Sequence, residues 1–120
     1  MAEAIERALS LLGMARRAGA ALVGQDQVLT ALSESGRGGL LVLRTEDCSE
    51  NVLRKLTARV PKSGSTCRTI PGVTRDTLGR ALGVGSAQVV ALPVRSGFAK
   101  KLTELLQQGG RCFDEQNQSI

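Results

Sequence analysis

Aromatic residues and histidine are almost absent from this 120-residue chain. It contains no histidine, tryptophan or tyrosine, and its only aromatic residues are Phe98 and Phe113. Without histidine, most catalytic triads and the zinc sites that combine histidine with cysteine are excluded. With two aromatic residues, a protein that stacks single-stranded bases on aromatic side chains is not expected.

Cysteine and long hydrophobic runs are also scarce. Cys48, Cys67 and Cys112 form no C-x-x-C pair, and three unpaired thiols are typical of a reduced, cytoplasmic protein. No apolar run approaches the roughly 18 residues of a membrane span, and the first residues do not follow the pattern of a secretory signal. We therefore expect a cytoplasmic protein without a membrane partner.

Motifs that bind cofactors are missing as well. The chain has no phosphate-binding loop of the form G-x-x-x-x-G-K-[ST]. The segment "GVGSAQ" at 83–88 lies between a predicted helix and a predicted strand, whereas a dinucleotide-binding loop follows a strand. The sequence therefore predicts no cofactor, no metal and no enzymatic activity, although acid and base groups that only the fold brings together leave no pattern in a sequence.

Positive charge is the feature that points to a partner. Sixteen Lys and Arg residues against eleven Asp and Glu give a net charge of +5, which is typical of proteins that bind a polyanion, most often nucleic acid. Many of these cations lie at predicted turns and helix ends, where they would form a phosphate-facing rim: Arg16, Arg17, Arg75, Arg80, Arg95, Lys100 and Lys101.

Helical and strand patterns alternate along the chain. Apolar residues at helical spacing predict helices at 3–17, 25–35, 47–60, 74–83 and 97–108, and short apolar or β-branched runs predict strands at 20–23, 40–43, 66–70 and 88–92. This order predicts an α/β fold, a three-layer α/β/α sandwich with one small, mostly buried mixed sheet of about four strands. Residues 1–108 are expected to form a single domain, and the polar residues 109–120 a disordered tail.

Individual residues indicate where the helices begin and end. Asp47, with Glu50 three residues later, has the spacing of a capping box and is predicted to begin the third helix. Cys48 would then lie in the first helical turn, where the helix dipole lowers a thiol pKa, although an incidental thiol is the simpler interpretation. Gly36 is predicted to end the second helix, and Thr74 and Gly83 to begin and end the fourth.

Four segments carry a family resemblance when they are taken in order: "LLGMARRAGAALVGQDQVLTAL" at 11–32, "GLLVLRTEDCSENVLRKL" at 39–56, "TRDTLGRALG" at 74–83 and "VVALPVRSGFAKKL" at 89–102. Together they resemble the ribosomal-protein L-seven-Ae / L-thirty-e superfamily, and among its members the bacterial YlxQ-like branch. The resemblance spans residues 5–106. It implies the same α/β/α sandwich and a non-enzymatic protein that binds structured RNA, ribosomal RNA included, at kink-turns or related internal loops.

The resemblance also implies which residues contact RNA at the start of the second helix. In the superfamily this helix begins with Gly-x-Asn-Glu-x-x-Lys, and here "GQDQVLT" stands in its place: Gly24, Gln25, Asp26, Gln27 and Thr30. Asp26 replaces an asparagine. An asparagine amide both donates and accepts hydrogen bonds, whereas an ionised aspartate only accepts them and also repels phosphate. Gln27 adds a donor that glutamate lacks, and Thr30 removes the positive charge of the lysine.

Three further segments complete the implied site. Arg75 stands where relatives carry a basic residue that touches the RNA backbone. The polar turn of Thr45, Glu46 and Asp47 would border the same surface. The turn at 93–96 would pack Val94 against flipped-out nucleotides, with Arg95 as an added charge between Pro93 and Ser96. We expect all four segments, the helix start included, to lie on one contiguous face.

Two functions remain open from the sequence. The first is an RNA-binding protein, which the resemblance also allows to be fused to, or associated with, another nucleic-acid-binding domain. The second is a protein-interaction module that keeps the fold but has lost the RNA site, which the departures at Asp26, Gln27 and Thr30 favour. The net charge of +5 favours the first.

Overall fold

Helices and strands alternate along the chain in the predicted order. The computed structural model describes residues 2–34 and 39–109. Its elements are α1 (Ala2–Arg17), β1 (Leu22–Val23), α2 (Gln25–Ser33), β2 (Leu40–Arg44), α3 (Glu50–Arg59), a 3-10 turn (Pro61–Ser63), β3 (Thr66–Thr69), α4 (Arg75–Leu82), β4 (Val89–Pro93) and α5 (Gly97–Gly109). Gly36 lies outside the described residues, as does the predicted tail apart from Gly109.

The four strands form one mixed sheet in the order β1-β4-β2-β3. Strand β4 is antiparallel to both β1 and β2, whereas β2 and β3 are parallel. The two central strands, β2 and β4, are buried almost throughout, which explains why their sequences are continuous apolar runs. The predicted mixed sheet of four strands is confirmed.

Helices cover the sheet on both faces. Alternate residues of the central strands point to opposite sides, so that Leu41 and Leu43 pack with α1, α4 and α5, while Leu40 and Val42 pack with α2 and α3. The α1 and α5 helices lie side by side on the first face. This arrangement is the predicted three-layer α/β/α sandwich.

The strand register defines two opposite ends of the sheet. Val89 of β4 pairs with Arg44 of β2 at one end, and Pro93 pairs with Leu40 at the other. We call the first the Gly24 end, because β1, β2 and β3 finish there and Gly24 follows β1, and the second the Pro93 end. At about 3.3 Å per residue, β4 separates the two ends by roughly 13 Å.

Three predictions of element boundaries are wrong. Ser49, not Asp47, is the N-cap of α3, and its hydroxyl accepts the Val52 N–H at 3.2 Å. Cys48 therefore precedes the helix instead of lying in its first turn. The first strand is Leu22–Val23, shorter than predicted, because the Ala20 N–H still donates to the Ala15 carbonyl at the end of α1.

The predicted boundaries of α4 are confirmed. The Thr74 hydroxyl accepts the N–H of Thr77 at its start, and Gly83 ends it in the left-handed conformation, with φ of 81°. These boundaries fix where Arg75 and the residues after Gly83 lie.

Candidate nucleic-acid interface

The α2 helix begins at the Gly24 end of the sheet without a side-chain cap. Gly24 is its N-cap, with φ of 91° and ψ of 157°, a backbone conformation that essentially only glycine adopts. Its own N–H donates to the Val89 carbonyl at 3.0 Å, which anchors the helix start to β4. The N–H groups of the first turn, residues 25–27, have no partner among the described residues and carry the positive end of the helix dipole.

Gln27 links this helix to the edge of the sheet. Its side-chain oxygen accepts the Val23 N–H at 3.2 Å, which would otherwise be unpaired on the outer side of β1. The amide NH₂ of Gln27 is left without a protein partner in the described part of the chain. Asp26 and Thr30 are both exposed on α2. The five residues implied by the "GQDQVLT" resemblance are therefore grouped at one helix start.

A turn at residues 45–49 follows β2 at the same end, and its N–H groups are used within the fold. Thr45 donates to the Gln88 carbonyl at 3.0 Å, and Glu46 donates to the Val73 carbonyl at 3.0 Å. Ser49 donates to the side-chain oxygen of Gln88 at 2.7 Å. We call this segment the 45–49 turn. It joins the end of β2 to the segments before and after α4.

The two carboxylates of the 45–49 turn bind the segment that leads into α4. Glu46 accepts the Gly72 N–H at 2.8 Å. Asp47 accepts the Arg75 N–H at 2.9 Å through Oδ1, and its Oδ2 lies 3.5 Å from Nε of the same arginine. This contact explains why Asp47 does not cap α3: its carboxylate is engaged at the start of α4.

Burial and hydrogen bonding act in opposite directions on Asp47. Desolvation raises its pKa, but the Thr45 hydroxyl, the Arg75 amide and the Arg75 guanidinium together hold the pKa below its usual value. The Thr45 hydroxyl is fully buried. It lies close enough to lower the pKa of Asp47, although it does not reach the geometry of a hydrogen bond to any described residue. Asp47 is therefore ionised at neutral pH beside Arg75.

The loop from Gly83 to Gln88, which we call the 83–88 loop, completes the Gly24 end. It turns back along α4: Val84 donates to the Gly79 carbonyl at 2.8 Å, and Ala87 donates to the Arg75 carbonyl at 3.1 Å. Sequence reasoning rejected this segment as a dinucleotide loop and did not assign it to the interface. Its position just before β4 gave no sufficient signal, because only the antiparallel direction of β4 places Gln88 where β2 ends.

Two further arginines lie near these segments. Arg44, the last residue of β2, donates to the Thr45 carbonyl at 3.3 Å, and sequence reasoning did not select it. Arg16, at the end of α1, has its Nη1 atom 3.5 Å from where a Cβ on Gly83 would be. Arg44 and Arg75 give the Gly24 end two cations on two different elements, whereas Arg16 lies beside the C-terminal end of α4, about 12 Å along that helix from Arg75.

The predicted single contiguous face is wrong for the turn at 93–96. Pro93 pairs with Leu40 at the far end of β4, so Val94, Arg95 and Ser96 lie at the Pro93 end. There they border a groove of about 420 Å³ along α5, and the Val94 side chain is 47% exposed. Sequence order placed this turn correctly after the last strand, but only the antiparallel direction of β4 shows which end it reaches.

Cys48 and Cys67 are not activated thiols. Burial raises the pKa of Cys48, outweighing the nearby Arg44 and Arg75. Burial raises the pKa of Cys67 to about 11. Within residues 2–34 and 39–109, no group of three or more Cys, Asp and Glu side chains could hold a metal ion. In the same residues, no helix is long and apolar enough to cross a bilayer.

Among proteins of known function, the chain shares its fold with an RNA-binding protein. No protein-family model matches the chain, and no curated protein is significantly similar to it. Among solved structures, it is similar to the Giardia lamblia 15.5kD RNA-binding protein, with a TM-score of 0.62 over 87% of this chain and 86% of that one. The identity there is 16%, so the likeness shows a shared fold.

A second structure is more similar in sequence. A Bacillus halodurans protein of unknown function is 31% identical, with a TM-score of 0.71, over 83% of this chain and 96% of that one. Identity at this level over nearly the whole of the other protein indicates common descent as well as a shared fold. The chain belongs to the same family as this Bacillus halodurans protein.

Proposed function

We propose that the chain binds structured RNA through the Gly24 end of its sheet, as a protein of the L-seven-Ae / L-thirty-e type in its YlxQ-like branch. The observation that carries this proposal is the uncapped start of α2 at the same end of the sheet as Arg75. Unpartnered N–H groups with a helix dipole favour an anion, and a guanidinium forms strong hydrogen bonds to phosphate. The fold of the Giardia lamblia RNA-binding protein supports the same function.

The 83–88 loop replaces the turn at 93–96 in this interface. Pro93, Val94, Arg95 and Ser96 are left out, because a ligand seated on Gly24 and Arg75 would have to extend along the whole of β4 to reach them. The interface then consists of the α2 start, the 45–49 turn, Arg75 and the 83–88 loop. The α2 start and Arg75 supply donors; the 45–49 turn holds Arg75, and the Val89 carbonyl anchors the α2 start.

We further propose that this interface prefers a kink-turn to other structured RNA. A helix start that inserts into a sharply bent internal loop can place the Gln27 amide against purine edges while Arg75 binds the backbone. Asp26 weakens this recognition, because its carboxylate faces phosphate. We therefore propose moderate preference for a kink-turn over an unkinked duplex.

The proposal is tested by replacing one arginine at each end of the sheet. Arg75→Ala removes the cation of the interface, and Arg95→Ala makes the same change of charge at the Pro93 end. Titration with a kink-turn RNA should show binding weakened about 5- to 20-fold by Arg75→Ala and by less than twofold by Arg95→Ala. Equal effects would place RNA elsewhere, and no binding by the unmodified protein would favour the protein-interaction module.

A further inference from the structure

Asp47 has an acidic side chain in an interface that we propose binds phosphate, and its contacts give it a different role from the one its sequence position implies. We propose that Asp47 is a positioning residue: it holds Arg75 in the orientation that binds phosphate and does not itself contact RNA. This inference rests on the proposed function of the Gly24 end.

The contact with Arg75 leaves most of the guanidinium free. Asp47 engages the side chain through Nε, at 3.5 Å from Oδ2. A guanidinium has five N–H groups, so the four on its two Nη atoms remain, and they have no acceptor among the described residues. The Arg75 side chain is 48% exposed. The paired arginine therefore still presents the two-pronged edge that matches a phosphate.

The backbone of Arg75 is held as firmly as its side chain. Its N–H donates to Asp47 at 2.9 Å, and its carbonyl accepts the Ala87 N–H at 3.1 Å. Glu46 fixes the approach to α4 by accepting the Gly72 N–H at 2.8 Å. An arginine held in this way loses less conformational entropy on binding than one on a free side chain.

Asp47 is poorly suited to touch RNA directly. An ionised carboxylate only accepts hydrogen bonds, and phosphate oxygens also only accept, so the two repel unless a donor lies between them. Both oxygens of Asp47 already face Arg75, which is that donor. Its negative charge is thus used within the fold to orient a positive one.

A double-mutant cycle tests this role. Asp47→Ala, Arg75→Ala and the double variant are titrated with a kink-turn RNA, with the folded fraction of each measured separately. Asp47→Ala should weaken binding about threefold to tenfold in the parent protein and should have no further effect when Arg75 is already alanine. Asp76→Ala is the matched control, because Asp76 is an exposed acid in the first turn of the same helix.

The salt dependence of binding separates positioning from loss of structure. Both Asp47→Ala and Arg75→Ala should reduce the slope of log K against log[salt] by about 0.7 to 0.9, the value of one phosphate contact. Partial unfolding would lower the active fraction and leave the slope unchanged. If Asp47→Ala does not fold, Asp47→Asn keeps an acceptor for the Arg75 amide and should show a smaller loss of affinity with the same coupling.

Four results would overturn the inference. If the effects of Asp47→Ala and Arg75→Ala simply add, Asp47 acts on RNA independently of Arg75. Tighter binding by Asp47→Ala would make its carboxylate an inhibitory charge. If Arg75→Ala weakens binding and Asp47→Ala does not, Asp47 is not a positioning residue but the proposed function stands. If Arg75→Ala leaves the affinity unchanged, both the positioning role and the proposed function are wrong.

Discussion

Gly79 of α4 lies directly against Ser86 of the 83–88 loop. A Cβ atom on Gly79 would be 2.4 Å from the Ser86 Cα and 2.8 Å from its backbone nitrogen, distances that no side chain can accommodate. The loop can therefore follow the surface of α4 closely enough for Ala87 to bind the Arg75 carbonyl. The absence of one side chain sets the position of a whole segment of the interface.

Gly79→Ala should destabilise the protein by about 2 kcal/mol, because the new methyl group forces backbone to move. We expect a lower urea midpoint and weaker RNA binding together, as the loop is displaced from Arg75. Gly97→Ala is the control, since a Cβ there meets nothing within 4 Å. Equal stability of the two variants would mean that the 83–88 loop does not pack against α4 in this way.

The charge at the start of α2 should control affinity for a kink-turn. Asp26→Asn removes a negative charge beside the helix terminus and restores a donor, so it should tighten binding by about 1 kcal/mol. Thr30→Lys, at an exposed position of the same helix, should tighten binding further by an amount that declines as salt is added. The measurement is a titration of each variant against a kink-turn and an unkinked duplex of equal length.

Glu104→Gln is the control for these changes, because it removes one negative charge beside the groove at the Pro93 end. It should alter affinity by far less than Asp26→Asn does. If Asp26→Asn and Glu104→Gln have the same small effect, net charge alone matters and the helix start does not read bases.

Binding by the unmodified protein should weaken as salt is added. Three to five phosphate contacts, the number that Arg44, Arg75 and the N–H groups of the α2 start can supply, correspond to a slope of roughly −2 to −4.5 in log K against log[salt]. Fluorescence anisotropy between about 50 and 300 mM salt measures it. A flat response would show that these arginines are not in contact with phosphate.

Thr45→Val should stabilise the protein. The Thr45 hydroxyl is fully buried and lacks hydrogen-bond geometry to any described residue, so replacing it with a methyl group removes a desolvation penalty of about 1 kcal/mol, which we expect to exceed the loss of its weak stabilisation of the Asp47 carboxylate. Thr103→Val is the control, because the Thr103 hydroxyl donates to the Ala99 carbonyl at 2.9 Å. Urea unfolding at pH 7 should move the two variants in opposite directions, and a destabilised Thr45→Val would show that the hydroxyl is satisfied.

The thiol of Cys67 should be nearly unreactive in the folded protein. With a pKa of about 11, its thiolate fraction at pH 8 is about two orders of magnitude below that of an ordinary thiol. Because the folded pKa lies above the unfolded one, this thiol favours folding below about pH 8.5, and that contribution declines as the pH rises toward 11. Alkylation of a Cys112→Ser variant with and without urea, followed by mass spectrometry, measures how strongly the fold protects the Cys67 thiol. Equal labelling in both conditions would contradict it.

The periodicity of the sequence was sufficient to predict the layers of the fold, because burial imposes a local pattern on each element. Continuous apolar runs at 40–43 and 89–92 indicated strands covered on both faces, and Thr74 and Gly83 marked the ends of α4. The start of α3 was predicted wrongly because a distant residue competes for a local group. Asp47 has the spacing of a cap for α3, but Arg75, far along the chain, binds its carboxylate.

The site was predictable only in part for a related reason. A helix start such as Gly24–Gln27 carries its pattern within a few residues, whereas the end of the sheet that a turn reaches depends on the direction of the strand before it. Nothing in the residues around Val94 specifies that β4 runs antiparallel to β2. The resemblance therefore grouped the α2 start and Arg75, which lie at one end of the sheet, with a turn that lies at the other end.

The place of β4 in the sheet has a consequence for how the chain assembles. Strand β4 is the last of the four in sequence, yet it lies between β1 and β2, which do not pair with each other. Before residues 89–93 leave a ribosome, β2 and β3 can pair, but β1 has no partner strand and the Gly24 N–H at the start of α2 lacks the Val89 carbonyl. The α2 start and the 45–49 turn thus come together in a late step of folding, when one short strand joins the two halves.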